Sequence, residues 1–163
     1  MSSAAEVRIL MICMGNICRS PTAEGVLRHK LRQAGLEGRV EVDSAGTHGY
    51  HVGAPPDERA QHHALKRGYD LSSLRARKVR ATDFDRFDLL LVMDDQNHEH
   101  LSQVCPEGRA DRVRRLMEFA PQARSGHVPD PYCGGEDHFE RVLDLVEEAC
   151  DGLIEHLRQR LTP

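Results

Sequence analysis

Two short stretches, residues 7–12 and 89–93, are apolar almost throughout, Arg8 being the exception, and neither has a polar face. They are too short to pass for helices. A strand apolar on both sides must be covered on both sides, which places it inside a sheet sandwiched between helical layers. The intervening chain supplies the covers. Ser20 is a candidate N-cap, Pro21 suits a first helical turn and Glu24 lies near the positive end of the dipole. Ala23, Val26, Leu27, Leu31 and Ala34 then recur at helical spacing up to Gly35, a plausible stop. Residues 40–44 alternate as a strand, 57–67 read as a helix, and Asp94 or Asp95 caps another helix running to Gln103. A weaker strand lies around 111–117, and Phe139, Val142, Leu143, Val146, Cys150, Leu153, Ile154 and Leu157 line one face of a last helix. Strands alternating with helices predict a single α/β domain of three layers, with a mainly parallel sheet and helices on both faces. Residues 120–135, rich in Pro, Gly and Asp, form the one long irregular stretch, and loops of that length are usually functional or mobile.

Composition narrows the class further. A chain of 163 residues needs only one domain, and 39% hydrophobic with 29% charged residues is a globular balance rather than a disordered one. The formal charge of -4 sets up no basic field along the chain, so nucleic acid is not an expected partner. No apolar run reaches the length of about 18 residues that a membrane span needs. Residues 1–6 lack the basic and apolar regions of a secretory signal, and are expected to be a flexible tail ahead of a domain over 7–163. Cys13, Cys18, Cys105, Cys133 and Cys150 form an odd set without CxxC pairs, as suits reduced thiols and a cytoplasmic location. The histidines, His62-His63 and His98-x-His100 among them, do not match a zinc template, so no metal is expected.

In an open α/β sheet, ligands bind beyond the carboxyl ends of the strands, where a strand hands over to a helix. The first such turn reads Cys13-Met14-Gly15-Asn16-Ile17-Cys18-Arg19-Ser20-Pro21. Its backbone N–H groups, with a helix dipole behind them, can form a nest sized for phosphate or another oxyanion. The same field favours the thiolate of Cys13, which becomes a nucleophile aimed at the bound phosphorus. Arg19 offers a planar fork to the equatorial oxygens, whose charge must be held in the transition state. Ser20 can donate to the sulfur and make it a better leaving group, and Gly15 and Asn16 are residue types that accept a left-handed backbone. Neither GxxxxGK[ST] nor GxGxxG is present, so ATP and NAD are not expected cofactors.

These residues resemble the signature of the low-molecular-weight protein-tyrosine phosphatases, which continues through Thr22-Ala23-Glu24. Val42-Asp43-Ser44-Ala45-Gly46-Thr47, Pro56-Asp57-Glu58-Arg59-Ala60, Arg75-Ala76-Arg77, Val92-Met93-Asp94 through Asn97, and Pro129-Asp130-Pro131-Tyr132 follow in family order, so the resemblance spans nearly the whole chain. It implies a four-stranded parallel sheet, no metal or cofactor, and hydrolysis of phosphotyrosine on a protein through a phosphocysteine at Cys13. A phenolate leaving group needs a proton as its P–O bond breaks. Asp130 is the family's match for that acid, and afterwards for the base that activates water. Met14, Gly15, Ile17 and Cys18 would line the substrate loop, with Tyr50 and Tyr132 at the pocket mouth. Ile17 favours phosphotyrosine, because relatives acting on phosphoarginine carry threonine there.

Ser44 matches a member of the family's buried network and can bond Asn16 or Ser20. Leu74 departs from the pattern, since many relatives place there a histidine that bonds the loop asparagine. A modestly altered rate is expected, with Leu74→His turning over faster. Cys18 lies near enough along the tight loop to trap an oxidised Cys13 as a disulfide. A thioredoxin-coupled arsenate reductase is the main rival, but Asp94 and Leu101 stand where it needs cysteines, leaving Cys105 and Cys133 as imperfect substitutes. A phosphocarrier would have to retain its phosphate, and a silent binding module would lack Cys13 or Asp130.

Overall fold

In the computed structural model, which describes residues 5–123, 125–132 and 134–161, the first apolar run is the centre of the sheet. Strand β1 (Val7–Cys13) pairs in parallel with β2 (Val40–Gly46) on one side and β3 (Leu89–Val92) on the other. β4 (Val113–Arg115) completes the parallel order β2-β1-β3-β4. The expected four-stranded α/β fold is therefore present. Residues 1–4 of the expected tail, residues 162–163, and Cys133 lie outside the described residues, while the N–H of Glu6 already donates to Arg39 O at 2.8 Å.

The period of two along each strand sorts side chains onto two cores. Ile9, Met11 and Cys13 of β1, with Leu89 and Leu91 of β3, face α1 (Arg19–Gln33) and α5 (Glu136–Arg160). Leu10, Ile12, Leu90 and Val92 face the opposite layer, made by Phe84, Phe87 and Leu101 from the short α3 (Asp83–Arg86), the residue after it, and α4 (Asp95–Val104). The four-residue α3 is too short to leave a period in the sequence. Helix α2 (Glu58–Lys66) is capped by Asp57, whose side chain accepts from the N–H groups of Arg59 and Ala60. It is fastened to α5 by Arg67, which reaches Glu140 at 2.7 Å, Asp144 at 3.0 Å and Glu147 at 2.6 Å.

Two expectations about α1 change. The helix starts at Arg19, with Cys18 at the cap position and no side-chain cap, so Ser20 lies inside the first turn and its hydroxyl serves the loop instead. Glu24 is not a dipole residue in the first turn; it is 2% exposed and bonded to Ser44 and Arg28. The far end behaves as read. Gly35 takes φ 74°, while Leu36 N–H reaches back to Leu31 O at 2.9 Å and Gly35 N–H to Arg32 O at 3.2 Å, closing the last turn.

Strand β1 ends where the chain turns outward at the switch between β2 and β3, so its carboxyl end opens on a crevice. Helix α5 backs this side of the molecule and presses on the turn Leu116–Phe119, which leads into the long loop. A Cβ on Gly152 would sit 1.9 Å from the carbonyl oxygen of Phe119. Alanine is preferred to glycine inside a helix by roughly 1 kcal/mol, yet overpacking costs about 1–3 kcal/mol, and a backbone carbonyl cannot rotate aside as a side chain can. Gly152→Ala is therefore expected to lower the urea midpoint; an unchanged or raised midpoint would show that α5 is free to shift.

Candidate active site

Cys13, the last residue of β1, is 3% exposed and lies at the bottom of a pocket of about 460 Å³, its open mouth included. Met14, Gly15, Ile17, Cys18 and Arg19 line the pocket with it, joined by Tyr50, His51, Asp130 and Tyr132. The sequence thus named every wall except His51. The sulfur has two close polar neighbours, Ser20 Oγ at 3.0 Å and the N–H of Asn16 at 3.3 Å. Among the described residues, the N–H groups of Gly15, Ile17 and Cys18 meet no protein acceptor, so this end of the loop presents unpaired donors at a helix N-terminus.

The loop keeps its shape through Asn16. Its φ of 58° is the only positive value among the described non-glycine residues. Gly15 does not share it, a correction to the expectation. Glycine there leaves room for a neighbour, since a Cβ would stand 3.0 Å from Cδ2 of His51, whose ring would have to give by a few tenths of an ångström. The Oδ1 of Asn16 accepts from the backbone N–H of Arg77 at 3.0 Å, and because that group can only donate, the orientation of the amide is fixed. The Nδ2 group then donates to Ser20 Oγ at 2.8 Å and to Ser44 Oγ at 3.0 Å. Ser20 Oγ, while accepting from Asn16, lies 3.0 Å from the Cys13 sulfur, to which its hydroxyl can donate when the sulfur is a thiolate, and Ser44 donates onward to Glu24 Oε1 at 2.7 Å.

The half-buried Leu74 packs against the core, and the backbone N–H of Arg77 satisfies Asn16 Oδ1 without it. Burial pushes the Glu24 carboxyl above its ordinary range, against the hydrogen bond from Ser44 and the charge of Arg28.

Arg19 is also held from behind. Its Nη1 donates to Asp94 Oδ2 at 2.6 Å and to Val128 O at 3.0 Å, which leaves the Nε–Nη2 edge for the pocket. Burial alone would lower the guanidinium's pKa, but Cys13, Asp94 and Asp130 together raise it, so the group stays charged. Asp94 also caps α4 through the N–H of Asn97, giving each carboxylate oxygen a separate task.

Asp130 stands across the pocket, Oδ2 3.8 Å from Arg19 Nη2, with its side chain 41% exposed. The Tyr132 N–H closes a turn onto Asp130 Oδ1 at 3.1 Å. Tyr50 and Tyr132 are both exposed, and the tilted rings of His51 and Tyr132 lie 6.4 Å apart. Burial pushes the Cys18 thiol up, with Asp57, Cys13 and Asp130 adding to it. Cys105 follows the end of α4 and packs on the opposite core, away from the pocket walls.

The family model described as low molecular weight phosphotyrosine protein phosphatase matches residues 8–162. A low molecular weight protein-tyrosine-phosphatase of Streptomyces coelicolor is 41% identical over 157 residues, covering 94% of this chain and 95% of the relative. A protein tyrosine phosphatase from Entamoeba histolytica, solved with Hepes in the active site, superposes with a TM-score of 0.91 at 38% identity, covering 94% of this chain and 98% of that one. Wzb of Vibrio vulnificus, in complex with benzylphosphonate, gives a TM-score of 0.81 at 28% identity, over 93% of this chain and 99% of that one.

Ser44→Ala would strand one N–H of Asn16 and one oxygen of Glu24, each a buried group costing roughly 1–3 kcal/mol when unsatisfied. A carboxyl raised in the fold binds its proton more tightly there than in the unfolded chain. Its penalty is absent below the ordinary carboxylate range and complete once pH passes the folded value. Losing the Ser44 donor deepens that penalty, so the stability deficit of Ser44→Ala should grow with pH. Urea unfolding at about pH 4 and about pH 8 measures this, and a pH-independent deficit would remove Glu24 from the network.

Proposed function

The chain belongs to the low molecular weight phosphotyrosine protein phosphatase family, a family of hydrolases, and from that premise we propose that it removes phosphate from protein phosphotyrosine through a covalent phosphocysteine on Cys13. The carrying observation is that one buried sulfur in the pocket wall lies 3.0 Å from the Ser20 hydroxyl, on a loop whose Gly15, Ile17 and Cys18 N–H groups meet no protein acceptor among the described residues, beside a guanidinium held from behind by Asp94. A sulfonate and a benzylphosphonate, as named for two relatives, are tetrahedral oxyanions of the kind such a nest would hold.

In this reading the phosphate dianion sits on the loop amides, and the Nε–Nη2 edge of Arg19 grips two of its oxygens. The thiolate of Cys13 attacks phosphorus in line with the phenolic oxygen. As the S–P bond forms and the P–O bond breaks, Asp130 gives its proton to the departing oxygen. The carboxylate then takes a proton from water, whose oxygen displaces the sulfur and releases inorganic phosphate. Ser20, donating to the sulfur, stabilises the returning thiolate. Tyr50 and Tyr132 flank the aryl ring at the mouth, and Ile17 keeps the loop suited to phosphotyrosine rather than phosphoarginine. No metal or organic cofactor takes part.

Residues 7–163 would form the catalytic domain, and the protein would work in the cytoplasm. Among the described residues, no helix is long and apolar enough to cross a membrane. Cys18 would protect the nucleophile: a Cys13 sulfenic acid and the Cys18 thiol condense to a disulfide with loss of water. The raised pKa of Cys18 keeps it protonated, so Cys13 is oxidised first.

Hydrolysis of phosphotyrosine, phosphoserine and phosphoarginine peptides should favour the first. Asp130→Ala should lose about 10²–10⁴-fold in rate and Cys13→Ser should be inactive. Equal turnover by Cys13→Ser would end the proposal. Because Arg77 already satisfies Asn16, Leu74→His should leave the turnover number within about twofold, well inside what a lost buried hydrogen bond would do. Mass spectrometry after mild peroxide should find the Cys13–Cys18 disulfide, and sulfonic acid at Cys13 would count against it.

A further inference from the structure

The acid loop is tied upstream and downstream by different means. Upstream, Val128 donates its N–H to Met93 O at 2.7 Å and accepts from Arg19, which fixes the chain two residues before Asp130. Downstream, the hydrogen bonds that reach residues 131–134 from outside this segment and Asp130, among the described residues, come from one side chain. Arg59 Nη2 donates to Tyr132 O at 2.7 Å and Nη1 to Gly134 O at 3.4 Å. Its guanidinium lies 4.8 Å from the ring centroid of Phe139 at the start of α5, and 5.9 Å from that of Tyr132. Phe139 is itself immobilised, 3% exposed and stacked on His63.

The other side of Arg59 leads to the nucleophile. Asp57 holds the guanidinium at 3.3 Å on both carboxylate oxygens, and the backbone N–H of Asp57 donates to Ile17 O at 2.8 Å, in the middle of the phosphate loop. A continuous series of bonds therefore runs from Ile17 through Asp57 and Arg59 to Tyr132, whose own N–H holds Asp130 Oδ1. Such a path sets the spacing between the attacking sulfur and the carboxyl opposite it, and proton transfer to a leaving group is sensitive to that spacing.

We propose that Arg59 is a positioning residue for the acid, bracing residues 130–134 against the N-terminus of α2 so that the Asp130 carboxyl faces the leaving oxygen. The inference rests on Asp130 being the acid. Arg59 touches neither phosphate nor nucleophile, so its loss should act only where protonation matters.

The test compares kcat/KM, which reports phosphoryl transfer to the sulfur, on phenyl phosphate and on a dinitrophenyl phosphate whose phenolate leaves without a proton. Asp130→Asn should lose at least about 10²-fold on the first and little on the second. Arg59→Ala should lose about 10²-fold on phenyl phosphate and less than about threefold on the activated ester, and should add nothing in the Asp130→Asn background. Arg59→Lys, which keeps the charge beside Asp57 but cannot span both carbonyls, should fall between and serves if Arg59→Ala does not fold. Equal losses on both esters, or none, by whichever Arg59 variant folds would overturn the role of Arg59 while leaving Asp130 as the acid. An Asp130→Asn enzyme that treats the two esters alike would overturn the acid assignment and this inference with it.

Discussion

The amide of Asn16 is the joint on which the site is assembled. It occupies a left-handed backbone position that non-glycine residues adopt at a cost, and its bonds to Ser20 and Ser44 are buried. What holds it is a donor that cannot be anything else, the N–H of Arg77, and that single constraint gives direction to the serines beyond. From it follow the two bonds that Nδ2 donates, one to Ser20 Oγ beside the sulfur and one to Ser44 Oγ, whose own proton goes to Glu24. Arg77 is itself pinned by Asp43 at 3.1 Å and Asp83 at 2.9 Å, so the loop's geometry is referred back to β2 and to α3 on the far side of the sheet.

The sheet explains why these groups meet. β1 ends between strands whose connections depart in opposite directions, and the crevice there collects segments distant in sequence: the loop after β1, the turn after β2, the cap of α4 after β3, and residues 128–132. Each segment is anchored before it reaches the pocket. The loop is held by Asn16, α4 by the Asp94 cap, and the acid segment by Val128 upstream and Arg59 downstream. A pocket wall built on fixed points spends little freedom when a ligand binds.

The architecture was readable because burial on two faces leaves a composition that helices and edge strands do not share, as in residues 7–12 and 89–93. The loop after β1 was readable for a related reason, since cysteine, arginine and serine lie within one turn and need no tertiary information to be associated. What was missed is non-local. Of the two cap candidates, Asp94 and Asp95, the cap is Asp94, whose second oxygen bonds Arg19 from 75 positions away. Glu24, expected near the positive end of the helix dipole, is instead the buried end of the Asn16 network. His51 and Arg59 carry no local signature, because a histidine after a tyrosine or an arginine in a capped helix is usually a solvated side chain. The four residues of α3 are fewer than a period needs to show itself.

Two carboxylates approach the one guanidinium of Arg19, and their unequal distances divide the work between them. Asp94, at 2.6 Å and 20% exposed, makes a close ion pair from behind and already caps a helix, so it is committed as a permanent counter-charge. Asp130, at 3.8 Å and 41% exposed, makes a longer ion pair through Oδ2 that is not a hydrogen bond, while its Oδ1 accepts from the Tyr132 N–H. A carboxyl that is to hand over a proton cannot also be the close partner of a fixed cation, because that partnership favours the charged form. With Asp94 as the anchor, Arg19 remains in place and charged, and in the proposed mechanism the outer oxygen of Asp130 is left to the leaving group. Under that proposal the pair separates anchoring from proton transfer within a few ångströms.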